Sequence, residues 1–141
     1  MRARTEAGNR RWQVNLISIA NGKSFAFETV FSTKDIPTFL KAAKQKGYKI
    51  VLHYILTERA EINIARVAKR VREGGHDVPR EKIIERYDLT TAILPRLIDF
   101  ADNAIVYDNS GAKLNFFLIK ENNEIKILDG APDWAGKFTM Q

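Results

Sequence analysis

The sequence predicts an α/β fold built on a parallel sheet, from two observations. Short apolar runs alternate with segments of helical periodicity, in the order helix, strand, helix, strand, two helices, strand. Helices between consecutive strands return the chain to the same direction, which favours parallel strands in a three-layer arrangement. The 141 residues, 45% apolar and 28% charged, also suit one globular domain.

Each expected element has its own start and stop signals. In chain order, the elements are a helix from Ala3 to a stop at Asn21-Gly22, a strand over 25–31, a helix from the cap residues 32–35 to Gly47, a strand over 48–56, a helix from Thr57 to Gly74-Gly75, a helix from 76–79 to Pro95, a strand over 104–107, and a hairpin of 114–119 with 125–128.

The helices are marked by cap residues, prolines and glycines. Pro37 fits the first turn of the second helix, and Gly47 ends it. Thr57 is the expected N-cap of the third helix, and Pro95 should break or kink the fourth. The expected buried side of the third helix consists of Ile64, Ala65, Ala68 and Val71.

The strands are marked by nearly continuous apolar runs. Residues 25–31 and 48–56 are typical of strands covered on both faces, so His53 should be buried and hydrogen-bonded. Residues 108–111 predict a turn, and Asn122-Asn123 predicts the turn of the hairpin.

We expect a single domain over residues 1–141, with residues 112–130 as a β-hairpin extension. The chain opens on a helix whose natural role is to cover a sheet already begun. We therefore expect the domain to lack its first strand, and the exposed sheet edge that this leaves could support a homo-oligomer.

Composition excludes several classes of protein. With no cysteine, disulfide scaffolds, cysteine-based zinc sites and thiol nucleophiles are ruled out, and two histidines argue against a His-rich metal centre. No metal site is predicted. No apolar run approaches the roughly 20 residues of a membrane helix, and residues 1–6 lack a secretory core, so we expect a cytoplasmic protein without membrane contact.

The charge balance points to an anionic partner. Lys and Arg outnumber Asp and Glu by 23 to 17, a net charge of +6. Basic residues crowd one short stretch, which contains Arg66, Lys69, Arg70, Arg72, Arg80, Lys82 and Arg86. On composition alone, such a cluster is either a solvated helix face or a phosphate-binding site.

Gly22-Lys23-Ser24 has the letters of a phosphate-binding loop but not its context. The full motif needs a glycine five positions before the second one, where this chain has Ile17. A helix precedes the tripeptide and a strand is expected after it, the reverse of the strand-to-helix order that presents backbone amides to an anion. We interpret it as a helix-to-strand turn.

Several motifs together resemble the zeta-toxin-like family of P-loop kinases, in the branch described as predicted ATPases. The motifs that carry the resemblance are residues 24–32, Gly47-Tyr48, residues 66–79 with the run Gly74-Gly75-His76-Asp77-Val78-Pro79, Arg86-Tyr87, and residues 106–110. The resemblance implies a parallel α/β kinase fold that binds ATP and Mg²⁺ and transfers the γ-phosphoryl group to a small-molecule hydroxyl. It also implies a possible antitoxin protein as a partner.

The resemblance also implies roles for particular residues. They are Arg70, Arg72 and Arg86 as catalytic residues, Glu28, Thr29, Thr57 and His76 as substrate-binding residues, and Arg66, Asp108, Asn109 and Ser110 as nucleotide-binding residues. Guanidinium groups near the transferring phosphate are the expected means of neutralising its charge.

The chain departs from the family pattern at two points. The Gly-x-x-x-x-Gly-Lys-Ser/Thr loop is not present in these 141 residues, and Leu89 stands where relatives tend to have a second helical arginine. We therefore expect a truncated kinase domain of weak or no activity. The alternative is a non-catalytic basic module that binds nucleic acid or a partner protein.

Overall fold

The computed structural model describes residues 19–29 and 35–138, which divide into two compact units, one ending at Tyr48 and the other beginning at Lys49. Most of the helix expected over residues 3–20 lies outside the described residues. Its last two residues, Ile19 and Ala20, are helical, and Gly22 has a φ of 64° where the stop was expected.

The first unit contains helix α1 (Asp35–Gln45), as expected from Pro37 and Gly47. Gly47 has a φ of 84°, and the amide of Tyr48 donates to the Ala43 carbonyl at 3.1 Å, so the helix ends in a left-handed glycine turn.

The strand expected over residues 25–31 is not found in its described part. Residues 23–29 have no regular structure, and Phe25 and Phe27 are half-buried rather than covered on both sides. The two rings pack edge-on against Phe39 of α1, at centroid distances of 6.1 and 5.5 Å. A strand needs a hydrogen-bonded neighbour, and the described residues of this unit include no strand, so here the aromatic residues pack on a helix instead.

The second unit has a four-stranded sheet with two helices inserted between its first two strands. In chain order it contains β1 (Val51–Leu56), α2 (Ala60–Arg72), α3 (Arg80–Phe100), β2 (Asn103–Asp108), β3 (Asn115–Glu121), β4 (Glu124–Ile127) and a 3₁₀ helix (Asp133–Phe138).

The sheet is mixed, with the strand order β1-β2-β3-β4. β1 and β2 are parallel, whereas β2–β3 and β3–β4 are antiparallel. The expectation of a parallel sheet therefore holds only for β1 and β2, and the expected hairpin extends the same sheet. Asn122 and Asn123 form the hairpin turn with φ values of 52° and 64°.

β1 is covered on one face only, contrary to the expectation of a strand buried on both. Leu52, Tyr54 and Leu56 are buried, while Val51 and Ile55 are 56% and 57% exposed. His53 shares the open face, where its Nδ1 lies 3.0 Å from the Tyr107 hydroxyl, so it is hydrogen-bonded but not buried. The alternation of inward and outward side chains along a strand explains the difference, because only the face toward the helices is covered.

The buried side of α2 differs from the expected one. Ala60 is buried and Ile64 and Val67 are half-buried, but Ala65, Ala68 and Val71 are exposed. Residues at i, i+4 and i+7 share a helix face, so Ala65 lies off the stripe through 60, 64 and 67, whereas Val71 lies on the same side as Ile64. The exposure of Val71 therefore shows that this face is no longer covered in the last turn of α2.

α3 runs continuously through Pro95, which neither breaks it nor ends it. Leu94, Leu97 and Ile98 around the proline are 0%, 6% and 1% exposed, and this packing offsets the hydrogen bond that proline cannot donate.

The end of α3 is held by a lysine from the hairpin. The ammonium of Lys120 on β3 donates to the carbonyls of Ile98 and Asp99 at 3.0 and 2.6 Å, and Lys120 is only 4% exposed. A cation is favourable at a helix C-terminus, where carbonyls lack intrahelical partners.

The segment after the hairpin packs against β3. The ring of Trp134 lies 5.2 Å from that of Phe117, and Phe138 is buried. None of the described helices combines the length and the apolarity needed to span a lipid bilayer.

Candidate functional site

The carboxyl ends of β1 and β2 lie side by side, because the two strands are parallel neighbours in register from Val51 with Asn103 to Leu56 with Asp108. In open α/β sheets, ligands bind at this edge. The loop after β1 begins at Thr57, and the turn after β2 contains Asn109 and Ser110.

Two hydrogen bonds join the end of β1 and its loop to the turn after β2. The amide of Asn109 donates to the Leu56 carbonyl at 2.8 Å, which continues the strand pairing by one step. The amide of Glu58 donates to the Ser110 hydroxyl oxygen, also at 2.8 Å. These bonds fix the two connections relative to each other.

Asp108 organises the turn from within. Its Oδ1 accepts hydrogen bonds from the amide of Ser110 at 2.8 Å and from the Ser110 hydroxyl at 2.5 Å. The carboxylate thus orients the serine so that its oxygen can accept from Glu58. The turn expected from residues 108–111 is confirmed, and three of its residues belong to the predicted nucleotide-binding set.

Arg66 places a positive charge at the same edge. Its Nη2 donates to the Asn109 carbonyl at 2.6 Å, and the side chain is exposed. A guanidinium has five N–H donors, so Arg66 can bind an anion while keeping this bond. The structure therefore brings together Arg66, Asp108, Asn109 and Ser110, all four residues predicted to bind nucleotide.

Thr57 is adjacent, but its hydroxyl is directed into the protein. The residue is 3% exposed, and its Oγ1 donates to the Arg59 carbonyl at 3.1 Å and accepts from Asn63 Nδ2 at 3.0 Å. The prediction that Thr57 caps the third helix is wrong, because α2 begins at Ala60 with Arg59 as its N-cap. The side chain instead shapes the loop.

Tyr87 of α3 also reaches this loop, although sequence analysis gave it no role at the site. Its hydroxyl lies 3.0 Å from the Thr57 carbonyl and 2.5 Å from the Glu58 carbonyl. Burial, followed by the negative charges of Asp88, Glu58 and Glu61, raises the pKa of Tyr87. Its place in the Arg86-Tyr87 motif was the sequence signal that could have revealed it.

Arg70 lies one turn after Arg66 on α2 and is hydrogen-bonded to the loop that connects α2 to α3. Its Nη2 donates to the His76 carbonyl at 3.2 Å, and its own carbonyl accepts from the amide of Gly75 at 2.8 Å. A Cβ at Gly75 would lie 2.5 Å from Arg70 Cγ, so only glycine permits this closure. Arg70 and His76 are thus brought together, through the His76 backbone.

The remaining predicted residues are Arg72, Arg86, Glu28 and Thr29. Arg72 is the last residue of α2 and Arg86 lies on α3; both are exposed, and neither side chain hydrogen-bonds to the strand ends within the described residues. Glu28 and Thr29 are exposed and belong to the first unit. Their proposed roles remain predictions.

No group of three or more His, Cys, Asp or Glu side chains that could hold a metal ion occurs in the part of the chain that the structure describes. The carboxylates nearest the strand ends are Asp108, which already accepts two hydrogen bonds from Ser110, and Glu58. A bound Mg²⁺ would therefore take most of its ligands from phosphate oxygens and water, as this ion commonly does.

Comparison with known proteins identifies the family. A protein of Haemophilus influenzae, named only as an uncharacterized protein, is 33% identical over 82 residues, which make up 58% of this chain and 59% of the relative. The match thus spans about three fifths of that relative's length. No solved structure matches the chain at a significant level. The family model described as Zeta toxin matches residues 2–121, and the chain therefore belongs to the zeta toxin family.

Proposed function

We propose that the chain binds ATP with Mg²⁺ at the carboxyl ends of β1 and β2, as part of a kinase that transfers the γ-phosphoryl group to the hydroxyl of a small molecule. The observation that carries the proposal is the position of Arg66, held against the hydrogen-bonded turn at residues 108–110. Membership of the zeta toxin family supports it, since that family suggests a kinase-like P-loop domain.

The arrangement suits the demands of phosphoryl transfer. The reaction needs positioning and charge neutralisation more than covalent chemistry from the protein. Arg66 supplies a charge whose position is fixed in the free protein, which lowers the cost of ordering it on binding. Asn109, whose backbone carbonyl binds Arg66, also carries a side-chain amide that offers a donor and an acceptor to a base or a sugar.

We propose that binding by this chain alone is weak and that phosphoryl transfer is slow or absent. The lysine and hydroxyl of a Gly-x-x-x-x-Gly-Lys-Ser/Thr loop, which hold the β- and γ-phosphates and Mg²⁺ in P-loop enzymes, are not among the 141 residues. ATP should still stabilise the fold at millimolar concentration, through Arg66 and the turn.

The test is thermal unfolding with and without ATP and Mg²⁺. A ligand at ten times its Kd stabilises the native state by about 1.4 kcal/mol, which raises the melting temperature by about 3–6 °C in a protein of this size. Arg66→Ala should remove most of that shift. Lys126→Ala, which removes an equal charge from an exposed ion pair with Glu124 on the hairpin, should preserve it.

A basic binding module is the second candidate, favoured by the exposed cations Lys69, Arg70 and Arg72 in the last turn of α2. This candidate predicts binding to single- or double-stranded DNA that weakens steeply with salt and does not depend on sequence. If Arg66→Ala and Lys126→Ala lower the ATP shift equally, and DNA binds as described, the nucleotide proposal fails and the second candidate replaces it.

A further inference from the structure

Tyr87 connects α3 to the loop that follows β1. Its hydroxyl is 2.5 Å from the Glu58 carbonyl and 3.0 Å from the Thr57 carbonyl. A phenol has a single hydrogen, so Tyr87 donates it to either of two consecutive carbonyls and restrains both peptide groups.

The residue restrained by Tyr87 also holds the turn after β2. The Thr57 carbonyl, which accepts from Tyr87, belongs to the same peptide group as the Glu58 amide, which donates to the Ser110 hydroxyl; that hydroxyl in turn donates to Asp108. A continuous series of hydrogen bonds therefore runs from α3, through the β1 loop, to the carboxylate at the end of β2. Groups in such a series polarise one another and are restrained together.

We infer that Tyr87 is a positioning residue for the nucleotide-binding edge, fixing Glu58 so that Ser110 and Asn109 keep the arrangement that holds Arg66. The identity of the ligand rests on the proposed function, whereas the hydrogen-bond series exists in the free protein. Tyr87 itself need not touch the ligand.

Burial, and after it the charges around the phenol, raise the pKa of Tyr87 and keep it in the donating form. Asp88 on α3, Glu58 in the loop and Glu61 on α2 all disfavour a phenolate at this position. A phenolate could not donate to the two carbonyls and would be repelled by them. The loop should therefore be held throughout the neutral range and released only at alkaline pH.

Tyr54 provides a matched control. It lies on β1, its hydroxyl donates to the Thr90 carbonyl of α3 at 2.9 Å, and it is buried. Tyr54→Phe and Tyr87→Phe therefore make the same chemical change: each removes a hydroxyl that donates to a backbone carbonyl and keeps the ring. Both hydroxyls join α3 to β1 or to the loop that follows it. The Tyr87 hydroxyl bonds to the carbonyls of residues 57 and 58, whereas the Tyr54 hydroxyl bonds to that of Thr90.

The first measurement is amide hydrogen exchange of the full chain at Glu58 and Asn109. Loss of one hydrogen bond should speed exchange of the Glu58 amide by about three- to tenfold in Tyr87→Phe, with a smaller effect at Asn109. Tyr54→Phe should leave the ratio of Glu58 exchange to that of the β1 amides unchanged. Above the raised pKa of Tyr87, the same amide should lose protection in the wild type but show no further loss in Tyr87→Phe. Equal exchange at Glu58 in Tyr87→Phe and the wild type, or an equal increase in Tyr54→Phe, would overturn the inference.

The second measurement is the affinity for ATP with Mg²⁺ by titration calorimetry. Tyr87→Phe should weaken binding by about three- to tenfold and Tyr54→Phe by less than twofold. If the wild type does not bind ATP but the exchange results hold, the proposed function fails and the positioning of the edge stands. If the wild type binds ATP and the two variants bind alike, the positioning role fails and the proposed function stands.

Discussion

Lys120→Met tests the idea that a cation from the hairpin completes α3. The Lys120 ammonium is buried and donates to the Ile98 and Asp99 carbonyls at 3.0 and 2.6 Å. Methionine fills a similar volume without a donor, so both carbonyls lose this partner. The Ile98 carbonyl is in a buried contact, and leaving it unsatisfied costs about 1–3 kcal/mol, whereas the Asp99 carbonyl is only partly buried and can bond to water. The substitution also removes the cost of keeping an ammonium away from water.

We expect a net loss of about 2 kcal/mol in the free energy of unfolding, which corresponds to a fall of about 6 °C in the melting temperature. Urea titrations followed by Trp134 fluorescence measure it well, since this ring packs against Phe117 on β3. Trp12→Phe is the appropriate background, because it leaves Trp134 as the single tryptophan.

Lys126→Met is the control, because Lys126 is an exposed lysine of the same hairpin, paired with Glu124 at 3.6 Å. Exposed ion pairs contribute little, so this variant should change stability by less than about 0.5 kcal/mol. If Lys120→Met were as stable as Lys126→Met, the ammonium would have no net role at the helix end and the argument would be refuted.

Two further predictions concern the connection between α2 and α3 and the alkaline limit of stability. Gly75→Ala should lower the free energy of unfolding, measured by urea titration, by about 1–3 kcal/mol, because its Cβ would lie 2.5 Å from Arg70 Cγ. Gly111→Ala is the control and should be nearly neutral, because nothing lies within 4 Å of a Cβ at that position. Burial is the main cause that raises the pKa values of Tyr54 and Tyr87 above 10.0. The two neutral phenols therefore contribute their full stabilisation below pH 10.0, and this contribution is lost as the pH rises through their pKa values in the folded protein. The double Phe variant should show a shallower loss of stability above that pH, and an equally steep loss would contradict the assignment.

Local signals were sufficient for most of the elements. Pro37 and Gly47 delimit α1, Gly74 and Gly75 separate α2 from α3, and the Asn122-Asn123 turn has the positive φ values that a tight hairpin requires. Each of these depends on the conformational preference of one or two residues, which tertiary context did not override.

The number of buried faces of each strand, and the element that each one packs against, could not be derived in the same way. The run from Tyr48 to Leu56 is apolar except at two positions, yet Val51 and Ile55 are exposed, because an apolar sequence does not specify how many layers cover a strand. Phe25 and Phe27 likewise pack on α1 rather than in a strand. Periodicity gives the type of an element, but not its neighbours.

At the site, the residues at the strand ends could be predicted from the sequence, but the hydrogen bonds that connect them could not. Asp108, Asn109 and Ser110 follow a short apolar strand and carry the chemistry of a turn, so they stand out in the sequence. Tyr87 resembles any aromatic residue on a buried helix face. Its role depends on a contact with residues about thirty positions earlier, which helical periodicity does not encode and which only its place in the Arg86-Tyr87 motif could have suggested.

The sheet has one irregularity, between Val106 and Tyr107. Val106 pairs with Leu118 and Tyr107 with Phe116, so Phe117 is an extra residue in β3 and is buried together with its neighbour Leu118. A bulge takes up a difference of one residue between paired strands. Here it lets two consecutive residues of β3 turn into the core while pairing resumes as far as Asp108 with Asn115, so the end of β2 that carries the 108–110 turn is still held by β3.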